Sequence, residues 1–401
     1  MSYFIRIFIL FILIITELLA STYWTLWLPM DTCRYIHLIS GLGISALLFF
    51  PKAYSKIRIP KLSRWVPVLI AVLLLVWSAL KLNSLILHEP LDFTHADMLP
   101  VIKVMCERWL HAEKIYQIIP EIWSGVMPVY LPAMYLPFIP AVIFSFDMRW
   151  ITYGIMLAIF FFIFFRNKSN AISWLTFLFI GLWFDFVLHK RTESLTLSEE
   201  GVVYGYYMLL AWALYHKKTI WVGISAACCL LSRYSALFFI IGLLVSYFLI
   251  ERRTKAMDKV YFTFFAGIIL MTIGKAWSAI PGFVSLPASY LDNILANNSK
   301  YQEVLNDGLG MMPIIGINSA PLVQKIQLGL LLITAISMIY FVRKCKSEFY
   351  FLAFLKLSLV LFFNFLVLPY NYLFYTSTWV SFVIFFLFTN HPGSLNEVIT
   401  E

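Results

Sequence analysis

Apolar runs recur from one end of this chain to the other, most of them near the ~20 residues that a helix needs to cross a hydrocarbon layer. Short polar, basic or proline-containing stretches separate them. The pattern predicts spans over 3–28, 35–50, 66–87, 149–165, 171–188, 201–215, 219–232, 235–250, 260–280, 326–342, 348–368 and 370–389. Lipid offers no hydrogen-bond partner to an open backbone, so runs of this kind must be helices. The expected fold class is therefore all-α, a polytopic transmembrane helical bundle of about 12 spans. One apolar run resists that assignment. Segment 128–146 carries Pro128, Pro132, Pro137 and Pro140, each of which removes a backbone donor and disfavours a regular helix.

Composition supports a membrane protein. Hydrophobic residues make up 61% and charged residues 13% of the 401 positions, where a soluble domain carries about a quarter of its residues as charges. A net charge of +9 would suit nucleic acid, but its distribution excludes that partner. The cations sit between apolar runs: Lys52, Lys56, Arg58, Lys61 and Arg64; Lys217 and Lys218; Arg252, Arg253, Lys255 and Lys259; Arg343, Lys344 and Lys346. This is the positive-inside pattern of a multi-pass protein of the inner or plasma membrane. Counting 128–146 as a span would turn three of these clusters outward. Treating it as an interfacial or re-entrant element keeps them all inside, with both termini cytoplasmic and segments 88–148, 189–200 and 281–325 outside. Arg6 and the run behind it read as an uncleaved first span. Cys33 and Cys106 both fall on the outer side, where a disulfide between them is open. Cys228 and Cys229 are adjacent, and no spacing suggests a metal or cofactor.

Candidate chemistry gathers on the outer side. After Leu91-Asp92-Phe93-Thr94-His95-Ala96-Asp97, apolar residues at 98, 101, 102, 105, 109 and 112 recur at helical spacing, with Lys103, Glu107, Arg108 and His111 opposite them. That is an amphipathic helix suited to the membrane surface. Asp97 stands where its N-cap belongs, so a capping role accounts for it without any chemistry. The next outer segment, His189-Lys190-Arg191-Thr192-Glu193-Ser194-Leu195 followed by Glu199-Glu200, is dense in charge. As a solvated loop it would be ordinary, but it is short and held at headgroup level between two spans. Arg233 lies at an outer turn against the inside bias, suited either to snorkelling onto lipid phosphate or to binding a substrate phosphate. Lys81, Asp185 and Lys275 each fall near the outer end of a span, where a shared polar cavity would account for them. Glu17 and Lys356 fall within apolar runs and fit no such cavity.

These residues resemble the GT-C superfamily of membrane glycosyltransferases, which take sugars from polyprenyl-phosphate donors. The likeness covers roughly 66–260 and looks closest to bacterial mannosyltransferase-like and protein-mannosyltransferase-like members. An early span leads into an outer acidic residue, here Asp97 with Asp92 in reserve. A surface helix over 98–115 follows, ending at Ile115-Tyr116, and then the Pro-rich Val129-Tyr130-Leu131-Pro132. Arg191-Thr192-Glu193-Ser194-Leu195 and Arg233 are similar to the family's later outer motifs. The resemblance implies an inverting transfer of mannose or another hexose or pentose to a glycan, lipid or protein acceptor of the cell envelope. Asp97 would be the general base, and Glu193 would orient the acceptor or an arginine. Arg191 and Arg233 would meet the lipid phosphate, with Lys81, Lys275, His189 and Lys190 as further candidates, and neither metal nor cofactor is called for. It divides the chain into two leading spans (1–65), a catalytic module with outer loop 88–148 (66–260), and a C-terminal module with outer loop 281–325 (261–401). A lipid-linked polysaccharide polymerase or ligase shares those substrates and a large outer loop. A lipid-linked-sugar transporter or flippase would show matched halves with broken helices near the midplane, and no matched halves are found.

The topological expectation is directly measurable. In a cysteine-free background, Tyr130→Cys and Phe144→Cys should both react with an impermeant thiol reagent from the same side of the membrane. Reaction from opposite sides would make 128–146 a span.

Overall fold

The computed structural model describes residues 3–49, 65–89, 91, 98–122, 125–128, 130–166, 180–182, 184–188, 198–250, 255–272, 306, 308–345, 348–368 and 370–389. Among them the chain is helical without a β-strand; the one pairing of extended backbone is an isolated antiparallel bridge between Ile119 and Val126. In chain order the helices are α1 (Tyr3–Ser21), α2 (Met30–Leu48), α3 (Trp65–His88), α4 (Met98–Leu110), α5 (Pro132–Tyr135), α6 (Ile139–Ile143) and α7 (Arg149–Arg166). After helical turns at 180–182 and 184–188 come α8 (Glu200–Tyr215), α9 (Thr219–Leu230), α10 (Leu237–Ile250) and α11 (Lys255–Thr272). The last are α12 (Met312–Ile315), α13 (Ala320–Cys345), α14 (Glu348–Asn364) and α15 (Asn371–Thr389).

Among the described residues, four segments are long and apolar enough to cross a membrane: Ile5–Leu26, Val68–His88, Ala320–Lys344 and Asn371–Thr389. Shorter apolar helices lie at Pro132–Ile143, Arg149–Phe165, Thr219–Leu230, Tyr234–Leu249 and Phe349–Asn364. The 12 residues of α9 reach roughly 18 Å at 1.5 Å per residue, short of the ~30 Å hydrocarbon core. Helix α2 has the length but not the apolarity, because Arg34, His37, Ser40 and Ser45 lie on its buried face. Depth in the bundle varies sharply. Of the apolar window of α15, 94% is buried, against 17% for α3, so α15 is the central post and α3 stands at the perimeter. Around α15 pack α1, α8 and α14; α2 lies on α1 and α14, α7 on α8, α9 on α8 and α11, and α13 on α10 and α14.

At the centre, Glu17 of α1 and Lys356 of α14 form an ion pair at 2.5 Å, and neither side chain has any exposed surface. Lys356 also donates to the backbone carbonyl (3.1 Å) and hydroxyl (2.6 Å) of Ser377 in α15. Ser381 donates to the second Glu17 oxygen at 2.8 Å. His37 of α2 places Nε2 3.7 Å from the same carboxylate. Four helices thus meet on one pair of charges. Small residues let them approach: a Cβ on Gly41 of α2 would stand 2.5 Å from a Val360 methyl of α14.

Two arginines fix the end of the bundle where α3 finishes and α7 starts. Arg149 is buried, chelated by Asp147, and donates to the carbonyls of Glu89 (2.5 Å) and Ile86 (3.4 Å), so a cation closes the C-terminus of α3. Arg34 pairs with Asp31 and donates to the carbonyls of Asn306 and Gly308, tying the start of α2 to the segment before α12. Met311 N–H reaches the Asn364 carbonyl at the end of α14 (2.7 Å), and the Tyr204 hydroxyl near the start of α8 reaches the Tyr372 carbonyl at the start of α15 (2.6 Å). Lys217 and Lys218 follow the far end of α8, and Arg343 and Lys344 close the far end of α13.

Segment 128–146 is not one helix. It is α5, a 3-10 turn (Leu136–Phe138) and α6, interrupted by Pro132, Pro137 and Pro140. From Pro132 to Ile143 it covers roughly 18 Å of helix. It packs with α4 and the 119/126 bridge in an apolar cluster containing Leu99, Met105, Ile119, Tyr135, Phe138 and Val202. Cys106 and Cys33 are both buried free thiols, which corrects the disulfide left open for them. Cys106 instead donates its S–H to the Tyr135 carbonyl (3.2 Å). Burial, with Glu107 beside it, pushes the Cys106 thiol up to about 12.

Removing one partner of a fully buried ion pair strands the other in apolar surroundings. Lys356→Met is expected to destabilise the detergent-solubilised protein by about 3–5 kcal/mol. The double variant Glu17→Gln/Lys356→Met should recover much of that loss, as read from thermal or denaturant unfolding.

Candidate functional site

Helix α8 opens with acidic residues where the macrodipole favours negative charge: Glu199 at the N-cap and Glu200 in the first turn. Both are buried, Glu199 at 1% and Glu200 at 0%. What compensates them is Arg233, in extended backbone between α9 and the 3-10 turn Tyr234–Ala236 that precedes α10. Its guanidinium donates to Glu199 Oε1 at 3.2 Å and to Glu200 Oε2 at 3.4 Å, and it contacts Glu200 Oε1. The Arg233 side chain keeps 23% of its surface exposed, while both carboxylates it meets are buried.

The positions of these groups follow from the packing beneath them. Thr152 of α7 donates to the Ser198 carbonyl (3.1 Å), holding the turn before Glu199. Gly201 lets α7 and α8 touch, since a Cβ there would stand 2.5 Å from the Thr152 carbonyl oxygen. Tyr207 of α8 shares a 2.7 Å hydrogen bond with Ser235, fixing the arginine's turn against the same helix. The Pro-rich segment covers this end. Ala133 N–H donates to the Leu231 carbonyl (3.1 Å), and Tyr206 donates to the Ala133 carbonyl (3.0 Å). Tyr116 donates to the Tyr130 carbonyl at 3.0 Å, joining the chain beyond α4 to the same cover. Burial first, then Tyr135 and Tyr234, holds the Tyr116 phenol well above its ordinary range. Burial also pushes Tyr234 up to about 12. Both phenols therefore keep their protons, and Tyr116 uses its own in the bond to Tyr130.

Of the residues singled out in the sequence, Arg233 stands at this site. Asp97, Asp92, His189, Lys190, Arg191, Glu193 and Lys275 lie outside the described residues. Asp97 directly precedes α4, and Leu99 shares an apolar cluster with Val202, two residues beyond Glu200. Lys81 is exposed on the perimeter helix α3 rather than turned into a shared polar cavity. Asp185 is half-buried, with its charge acting on Tyr23 at the end of α1. The clamp role of Glu199 and Glu200 was not read from sequence. The available signal was an acidic doublet at the mouth of an apolar run, in the same outer segment as Arg191. No group of three or more metal-ligating side chains occurs among the described residues. No protein-family model, no curated protein and no solved structure matches the chain.

The α7–α8 seam sets where Glu200 stands. Gly201→Ala should cost about 1–3 kcal/mol through overpacking against Thr152. Gly154→Ala in α7, where an added Cβ meets nothing within 4 Å, should be neutral or stabilising by up to about 1 kcal/mol. Unfolding of the two variants side by side reads the difference.

Proposed function

We propose that this chain is a multi-pass membrane glycosyltransferase. It would move a sugar from a polyprenyl-phosphate donor to an acceptor hydroxyl on the extracytoplasmic face, with both termini cytoplasmic. The observation that carries the reading is Arg233, part-exposed and clamped by two buried carboxylates beneath the Pro-rich cover. A fixed guanidinium at a bundle end suits a lipid phosphate whose negative charge grows as it leaves. Its two carboxylates hold the fork in place before substrate arrives, so little reorganisation accompanies the reaction.

In the proposed step the acceptor oxygen attacks the anomeric carbon, and the bond from that carbon to the phosphate oxygen breaks. Polyprenyl phosphate leaves with the electron pair, and the acceptor proton passes to the Asp97 carboxylate, with Asp92 as the reserve base. Inversion follows from single displacement. Arg191 would join Arg233 at the phosphate and Glu193 would orient the acceptor. The cover formed by α4 and 130–143 would border the path of the lipid.

The test is transfer from a panel of radiolabelled polyprenyl-phosphate sugars in membranes holding the full chain. Asp97→Asn should lose roughly 100- to 10,000-fold, the range of a general base. Arg233→Ala should lose more than Arg233→Lys, which keeps the charge but not the fork. Full transfer by both Asp97→Asn and Arg233→Ala would overturn the assignment.

A further inference from the structure

At the opposite end of the bundle from Arg233, α2 and α13 finish where α14 begins, and a crevice of about 520 Å³ opens between them. Its walls are Phe49, Phe341, Tyr350, Phe354 and Leu357, with the Ser337 hydroxyl as one polar group. The aromatic rings are in mutual contact. Phe49 meets Phe354 edge-on at 4.8 Å, and Phe341 stacks on Tyr350 at 6.1 Å and 17°. They form a fixed apolar box, with Phe354 2% exposed at its base. The volume lies within the range of sites that take organic ligands.

Two features say what fills it. First, Ser337 and Phe341 border Ile333, Ile336 and Tyr340 on α13, exposed apolar side chains of a helix long and apolar enough to span a membrane. A crevice beside them meets acyl chains, and an empty apolar hollow would forfeit the dispersion contacts of its lining. Second, Ser337, Phe341 and Lys344 recur at i, i+4 and i+7, so one stripe of α13 leads from the crevice to a cation. Lys344 and Arg343 are both exposed in the last turn of α13, and Lys344 Nζ stands 5.9 Å from the Tyr340 ring centroid. Both cations lie in the last turn of α13, beyond Phe341 and toward the helix end to which that stripe runs, and a phospholipid whose chain entered the crevice would place its phosphate there.

We propose that this crevice is a binding site for an anionic phospholipid, with one acyl chain between α2, α13 and α14 and the phosphate at Arg343 and Lys344. The site is separate from the proposed transfer chemistry and depends only on the chain's lying in a membrane. Native mass spectrometry of the full chain in detergent tests it, with phosphatidylglycerol and phosphatidylcholine of identical acyl chains as probes. The wild type is expected to retain one lipid and to prefer phosphatidylglycerol. Arg343→Gln/Lys344→Gln, at exposed positions, should reduce that preference roughly ten- to thirtyfold, the effect of removing two cations near an anionic headgroup. Ser337→Trp should fill the crevice and abolish the retained lipid. Equal binding of the two lipids by the wild type, or an unchanged preference in the double variant, overturns the proposal, and does so even if Ser337→Trp fails to fold. Sugar transfer can survive either result, so this failure is distinct from failure of the proposed activity.

Discussion

Glu17 and Lys356 are each untenable alone in an apolar interior and tolerable together. Their pairing dictates which helices may be neighbours. Each carboxylate oxygen has a serine hydroxyl from α15, and the ammonium takes its remaining bonds from Ser377. Apolar packing is weakly directional, and in lipid it does little to separate one arrangement of greasy helices from another. A charge pair with fixed donors and acceptors supplies that discrimination. It sets the register of α1 against α14 and α15, and His37 brings α2 to the same point.

With that centre fixed, the polar face of α2 turns inward and Arg34 reaches Gly308. From α15 outward the packing passes through α8, whose first turn bears the Glu199–Glu200 clamp on Arg233. The candidate site is therefore built on the helix that contacts the central post most directly in its region of the chain. Its cover is a different kind of object. Helix α4 and the broken segment 130–143 have their own apolar cluster and reach the bundle through Val202, Tyr206 and the Ala133–Leu231 hydrogen bond.

The positions of the helices were largely legible in the sequence because each apolar run is itself the signal. Prolines at 132, 137 and 140 announced that 128–146 is broken, and the structure divides it at those residues. Faces were not legible. In α3 both lipid and protein favour apolar residues, so nothing marked Lys81 as outward-facing. Partnerships across long separations were also hidden. Glu17 found no account in the sequence because its partner is 339 positions away. The two carboxylates holding Arg233 are 33 and 34 positions from it, beyond any local pattern. Cys33 and Cys106 suggested a bridge because both were expected on the outer side, yet a shared side by itself brings no two sulfurs within reach, and both thiols are free.

The span of that central pair also bears on how the chain is made. Ribosomes add about 5–20 residues per second, so 339 residues separate the emergence of Glu17 from that of Lys356 by roughly 20 to 70 s. Through that interval α1 carries an acidic side chain whose permanent counter-ion has not been synthesised. Its carboxyl must stay at the membrane surface, remain protonated or rest against the insertion machinery. Final seating of α1 is thus a late event in biogenesis, although α1 emerges long before α14 and α15.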